Sequence, residues 1–172
     1  MKCCSIIFDE VFLMPGLKYN AALKYIEGFE EFGELSSNHI ADHALVFMIR
    51  GMYNNWKMPF AYYFTESGMK TISLVRSIKE VVTAVQSCGL EVMALVCDQG
   101  ANNSAAINYL KRETREKYVR NNEVQSNICL EINDKPIFHI YDVPHLLKGI
   151  RNNLLKGDLV CPFFTYMMYH TF

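Results

Sequence analysis

Two aspartates in this chain end apolar runs. Asp9 closes Ser5-Ile6-Ile7-Phe8-Asp9-Glu10, and Asp98 closes Val92-Met93-Ala94-Leu95-Val96-Cys97-Asp98-Gln99-Gly100. Continuous apolar runs read as strands buried on both faces of a sheet, so a carboxylate at the end of each emerges at the sheet's rim. If the two strands are neighbours, Asp9 and Asp98 face each other across a few ångströms, where their repulsion calls for a cation or a shared proton. Hard carboxylate oxygens suit Mg²⁺ or Mn²⁺. Paired ions of that type drive phosphoryl transfer by activating the attacking oxygen and stabilising the leaving one.

Other chemistry-bearing residues have competing readings. Asp142 and His145 flank Pro144 at a strand-to-helix junction. Asp142 reads as a helix cap or a group supporting the site from behind, rather than a metal ligand. His145 is open between a place in the first helical turn and the site's edge, where it would hydrogen-bond a phosphate or an acid. Lys148 and Arg151, three apart on the polar side of the same helix, are available to DNA phosphates or to solvent. Glu10 alternates away from Asp9, and one of Asn102 and Asn103 reads as an N-cap. His39 and His43 have the four-residue spacing of a metal pair on a helix, but Ala44 onward reads as strand, which argues against that site. Trp56, the single tryptophan, lies beside a turn and is read as packing beneath it rather than stacking on a base.

These groups need elements to position them. After the first strand, Pro15-Gly16 marks a turn, and the stretch through Gly33 carries no clear period. Ala44–Ile49 and Phe60–Phe64 read as a hairpin around Tyr53-Asn54-Asn55-Trp56. Ile72, Val75, Ile78, Val82 and Val85 recur at helical spacing, with Gly89 in the C-terminal position. Leu90–Cys97 returns to strand, a helix runs from Ser104 to about Tyr118, Asn121–Asn127 reads as loop, and Ile137–Tyr141 is the last strand. Pro144 opens a helix with an apolar face of Leu146, Leu147, Ile150, Leu154 and Leu155. Strand, hairpin, helix, strand, helix, strand, helix is the order of a mixed α/β sheet with flanking helices, the ribonuclease H-like arrangement. A doubly wound nucleotide fold ranks second, because no glycine-rich phosphate loop follows the first strand.

Composition sets the remaining bounds. At 172 residues, 51% hydrophobic and 13% aromatic, the chain can bury one core. Six cysteines without paired metal-ligand spacing predict free thiols in an intracellular protein. No apolar stretch approaches the roughly 20 residues of a membrane span, so a soluble protein is expected. The net charge of −1 lacks the basic footprint of a nucleic-acid enzyme. Lys111, Arg112, Arg115, Lys117 and Arg120 do cluster, but Glu113 and Glu116 interrupt them, and the segment reads as a solvated helix face.

Four segments in this order resemble the P element type of DNA transposase, including relatives that carry a THAP zinc finger. They are Phe8-Asp9-Glu10; His43–Met48 with Asn55-Trp56-Lys57-Met58-Pro59; Cys97-Asp98-Gln99-Gly100-Ala101-Asn102-Asn103; and Asp142–Asn153. The resemblance implies a ribonuclease H-like catalytic domain that cuts and joins DNA with three acids and two metal ions. Asp9 and Asp98 match the first two acids and are the implied catalytic and metal-binding residues. The third is a glutamate beyond a large helical insertion. Residues 1–155 would then be the N-terminal part of the catalytic domain and residues 156–172 the start of that insertion, leaving the fold incomplete at its C-terminus. Neither Glu113 nor Glu131 substitutes for the missing acid. The resemblance further implies Mg²⁺ or Mn²⁺ as cofactor, GTP bound by the insertion and assigned to no residue here, transposon and target DNA as partners, self-association and a nuclear location. The expectation for this chain alone is weak metal binding and little or no cleavage, with a repurposed, non-catalytic DNA-binding or interaction module of the same fold as the alternative. The apolar Cys161–Tyr169 stretch is expected to pack against further chain.

Overall fold

The computed structural model describes residues 2–32, 35–123 and 129–156. The elements are β1 (Cys3–Phe12), β2 (Lys18–Asn20), β3 (Tyr25–Glu27), β4 (Phe29–Phe32), β5 (Leu35–Ile40), β6 (His43–Gly51), β7 (Lys57–Thr65), α1 (Thr71–Ser87), β8 (Glu91–Cys97), α2 (Ala101–Arg120), β9 (Cys129–Ile132), β10 (Lys135–Tyr141) and α3 (Val143–Leu154). Eight strands form one sheet in the order β5-β4-β7-β6-β1-β8-β10-β9, and β2 and β3 pair separately. β1 is antiparallel to β6, and β1, β8 and β10 are mutually parallel. This is the expected mixed sheet, with its hairpin on one side and helical crossovers on the other.

The two faces of the sheet differ. Ile6 and Phe8 of β1, Leu45, Phe47 and Ile49 of β6, Leu95 and Cys97 of β8, and Ile137 of β10 form one buried cluster with α1 and α2. From α1 come Leu74, Val75, Ile78, Val81, Val82 and Val85, and from α2 come Ala106, Ile107 and Leu110. The period-two alternation of β1 puts Ser5, Ile7 and Asp9 on the opposite face, where burial falls from intermediate at Ser5 and Ile7 to exposed at Asp9. On that face Phe138 and Ile140 of β10 remain 45% and 49% exposed. The apolar runs of β1 and β8 predict burial on both faces, but among the described residues helices cover only one.

Several boundaries and elements differ from those read in the sequence. α2 starts at Ala101, three residues before the predicted Ser104, because Gly100 supplies an extended N-cap. The stretch without a clear period contributes β2, β3 and β4, and β5 comes directly after it; most of these strands are too short for periodicity to register. β9 also lies outside the sequence reading. It is joined to β10 by Asn133 and Asp134 alone, at φ of 55° and 59°, the left-handed pair that a two-residue hairpin turn requires. α3 forms where Pro144 and Asp142 predict it, yet none of its residues is buried. Residues 157–172, with the Cys161–Tyr169 stretch and most of the expected insertion, lie outside the described residues.

Trp56 packs against the core, as the packing reading expects. Its indole lies directly over Gly51, where a Cβ would stand 2.2 Å from Nε1. Gly51→Ala is therefore expected to displace the ring and cost about 1–3 kcal/mol. Red-shifted tryptophan emission together with a lowered urea midpoint checks this, and unchanged emission would contradict it.

Candidate functional site

Backbone register brings the two aspartates together. Ile7 pairs with Val96 in the parallel β1–β8 ladder. Two residues further along each strand are Asp9 and Asp98, at the same level and on the same face. β10 extends the row, because Tyr141 pairs with Cys97 and the Asp142 amide then donates to the Cys97 carbonyl at 2.8 Å. Asp98 and Asp142 directly follow β8 and β10, whereas Asp9 lies within β1, which runs on to Phe12 against β6 and so corrects the expectation that Asp9 ends its strand.

The three carboxylates do not converge. No group of three acidic, histidine or cysteine side chains able to hold a metal occurs among the described residues. Asp142 turns toward α3, where Oδ2 accepts from the His145 amide at 3.3 Å and lies 2.6 Å from His145 Nδ1. It is the helix cap and the orienting partner of His145, in keeping with the supporting role read from the sequence. His145 therefore belongs to the first turn of α3 and reaches the site's edge only through Asp142.

Asp98 is held in place. Its Oδ1 accepts from the Gly100 amide at 2.8 Å and from Asn103 Nδ2 at 2.6 Å. Asn103 is 9% exposed and rises from the first turn of α2, so the helix fixes the carboxylate that precedes it. This corrects the N-cap reading of Asn102 or Asn103. The cap residue is Gly100, with no side-chain bond; Asn103 serves Asp98, and Asn102 donates to the Met69 carbonyl at 3.1 Å. Asp9 Oδ1 accepts from the Glu10 amide at 2.9 Å. The second oxygen of each carboxylate has no hydrogen-bond partner among the described residues, which suits the pair to one hard cation.

Cys97 records the closeness of both acids. Its thiol is pushed up to about 12, first by burial and then by the negative charges of Asp98 and Asp9. A neutral, 1% exposed thiol is neither nucleophile nor ligand. It lies 3.4 Å from His139 Nε2, and burial, helped by Lys111, holds that imidazole down at about 4. Both belong to the helix-covered face, behind the site.

Glu10 faces away from Asp9 as expected, and its Oε1 accepts from the Met69 amide at 2.6 Å. His39 pairs with Glu66 at 3.0 Å and His43 with Asp42 at 2.6 Å, so the two histidines share no site. Glu113 is taken by Lys79 at 2.7 Å, and Glu131 by Lys117 at 2.9 Å and by the Tyr118 hydroxyl. Arg112 pairs with Glu116 and Lys117 with Glu131, so two of the five cations clustered on α2 are compensated. Lys148 and Arg151 are exposed on α3, Arg151 donating to the Asn152 side chain at 3.1 Å. The role of Asn103 is absent from the sequence reading; its signal is an amide one helical turn into the element that succeeds Asp98.

Carboxylates at one level of adjacent parallel strands, beside an antiparallel hairpin, are the arrangement of a ribonuclease H-like domain. Residues 1–111 match the family model described as TNP-like, RNase H N-terminal domain. The chain belongs to that family. Among solved structures it is similar to the Drosophila P element transposase strand transfer complex, at 21% identity and a TM-score of 0.60, over 88% of this chain and 29% of that one. No curated protein sequence matches it. The chain thus spans under a third of the transposase chain whose fold it shares, and the recognition carried by its four motifs agrees with both findings.

Asn103→Ala removes a hydrogen bond to a charged group and is expected to cost about 1.5–3 kcal/mol. Chemical denaturation checks it. A midpoint equal to wild type would mean that Asn103 does not anchor Asp98.

Proposed function

We propose that this chain is part of the catalytic core of a DNA transposase, in which Asp9 and Asp98 share one Mg²⁺ or Mn²⁺ ion. The observation that carries the reading is the β1–β8 register, in which Ile7 opposite Val96 brings Asp9 of β1 and Asp98, just past β8, to neighbouring positions. Asp98 is fixed through one oxygen by Asn103 and Gly100, which leaves the other available to a cation beside Asp9. Such an ion, when bound, polarises a phosphate oxygen and lowers the pKa of an attacking water or 3′-hydroxyl.

In a longer protein the reaction is DNA cleavage followed by strand transfer, with transposon and target DNA as substrates. Self-association, action in the nucleus and GTP use accompany this reading through the family resemblance, and GTP is assigned to no described residue. A second ion needs a third acid, and no such group joins Asp9 and Asp98 among the described residues. The second reading is a non-catalytic DNA-binding or interaction module, whose partner binding would be indifferent to alanine at both aspartates.

By calorimetric titration with Mn²⁺, this chain is expected to bind weakly, and Asp98→Asn to abolish the heat. Identical titrations for wild type and the Asp9→Asn/Asp98→Asn double variant would remove the metal reading. Supercoiled plasmid with Mg²⁺ should stay intact; nicking that disappears in Asp98→Asn would show the chain to be active alone. Asp142→Asn in the complete transposase should leave strand transfer near normal while loosening His145, whereas a loss as deep as that of Asp98→Asn would make Asp142 a metal ligand.

A further inference from the structure

The sheet face that carries Asp9 also carries an uncompensated pair of cations. Ser5 is the β1 partner of Arg50 in β6, and Arg50 is in turn the partner of Lys57 in β7. Partners across an antiparallel pair share a face, with Cβ atoms about 4.5–5.5 Å apart, and like charges so placed destabilise the sheet. Lys79, Arg112 and Lys117 have acidic partners, while Arg76, Arg115 and Lys148 have none among the described residues and stand singly on helix faces; Arg50 and Lys57 differ in facing each other across two strands. Neither Arg50 nor Lys57 has an acidic partner among the described residues. Two facing cations without an acid call for an anion from outside.

Arg50 opens onto a cavity of about 530 Å³ on the same face. It is lined by Ile7 and Val96 and by Ser5, Tyr53, Asn54, Asn55 and Asp142; Lys57 is not among its lining residues and adjoins it as the cross-strand neighbour of Arg50. The volume falls within the range of ligand pockets. A guanidinium binds phosphate through two parallel hydrogen bonds, and an ammonium reinforces it as a point charge. Tyr53, 64% exposed, offers a ring on which a base can stack. The two amides supply paired donors and acceptors for base edges.

The spacing links this cavity to the carboxylates. Ser5 lies four residues before Asp9 on one strand, about 13 Å at 3.2–3.4 Å per residue. A nucleic-acid strand rising about 3.4 Å per nucleotide covers that span in about four nucleotides. Asp142, which lines the cavity, stands level with Asp98, so a strand can run continuously from the metal carboxylates to Arg50.

We propose that Arg50 and Lys57, with Tyr53 and the Asn54-Asn55 amides, form a phosphate and base subsite for the DNA strand leading to the reacting phosphate. The subsite rests on the transposase reading of Asp9 and Asp98 and assigns the strand's path across the sheet. It also accounts for a cation pair that the fold itself would be more stable without.

The test is the anisotropy of a labelled, short single-stranded oligonucleotide titrated with this chain in metal-free buffer over a series of salt concentrations. Arg50→Gln is expected to weaken binding about tenfold and to reduce the salt slope by about 0.7. Its thermal midpoint should be equal to or above wild type, since a repulsion is relieved. Lys57→Gln should act in the same direction, and Tyr53→Leu should weaken binding without changing the slope. Binding that is absent in wild type, or unchanged in affinity and slope in both cation variants, overturns the subsite. Displacement of the oligonucleotide by an equal concentration of a nucleoside monophosphate also overturns it, in favour of a mononucleotide pocket. The Asp9→Asn/Asp98→Asn variant should bind the oligonucleotide at least as well as wild type, so its Mn²⁺ titration tests the metal reading separately from the outcome at Arg50.

Discussion

The parallel hydrogen-bond ladder joining β1, β8 and β10 is the constraint on which the rest depends. A parallel pair keeps side chains of equal register on one face, so aligning Ile7 with Val96 commits Asp9 and Asp98 to adjacent positions. A slip of one residue in either strand would send one carboxylate into the helix-packed core and an apolar residue to the rim. The packing of Ile6, Phe8, Leu95 and Cys97 beneath α1 and α2 guards against that slip. The hydrophobic core and the acidic site are therefore two faces of one register, and the energy that buries the first also sets the second.

Local polar contacts then finish what the ladder begins. Asp98 leaves its strand one residue past the buried Cys97, and a helix starts three residues later, so the carboxylate meets the amide of Gly100 and the side chain of Asn103. Asp142 undergoes the same strand-to-helix transition, but its partner is the first turn of α3 and the His145 ring. Equivalent backbone positions thus yield one carboxylate with an oxygen left without a partner among the described residues and another turned to the His145 ring. The difference lies in the next two residues of each segment: Gln99-Gly100 separates Asp98 from α2, whereas Val143-Pro144 starts α3 immediately.

How much of this could be read from the sequence depends on the same physics. Long elements with strong periods were legible: β1, the β6–β7 hairpin, α1, β8 and α3 fall where apolar runs, helical spacing and Pro144 place them, and the Asp9–Asp98 pairing comes from the two runs that end in acids. β9 was not, because four residues give too little alternation to stand out, and its signal lay in the Asn133-Asp134 turn. The first turn of α2 was missed because Ala101, Asn102 and Asn103 lack apolar spacing, and with it went the function of Asn103. Cross-strand facts were beyond reach altogether. That Arg50 meets Lys57 depends on the irregularity between Phe47 and Met48, which no local pattern announces.

The sheet's second face gives this domain its character. α1 and α2 occupy the first face, and among the described residues the second keeps Phe138, Ile140 and the apolar residues of α3 in partial contact with water. A parallel strand such as β8 is normally covered on both sides, and on this face no described helix covers it. Along β1 that face changes from Ser5 through Ile7 to Asp9, so polar groups lie at both ends of a short apolar floor. An apolar floor lowers the local dielectric and strengthens whatever charge lies at its ends. At one end those charges are carboxylates that attract a cation, and at the other a guanidinium and an ammonium that attract an anion. In the proposed reading a metal ion and a phosphate chain meet complementary charges in that same arrangement, so one sheet face serves both.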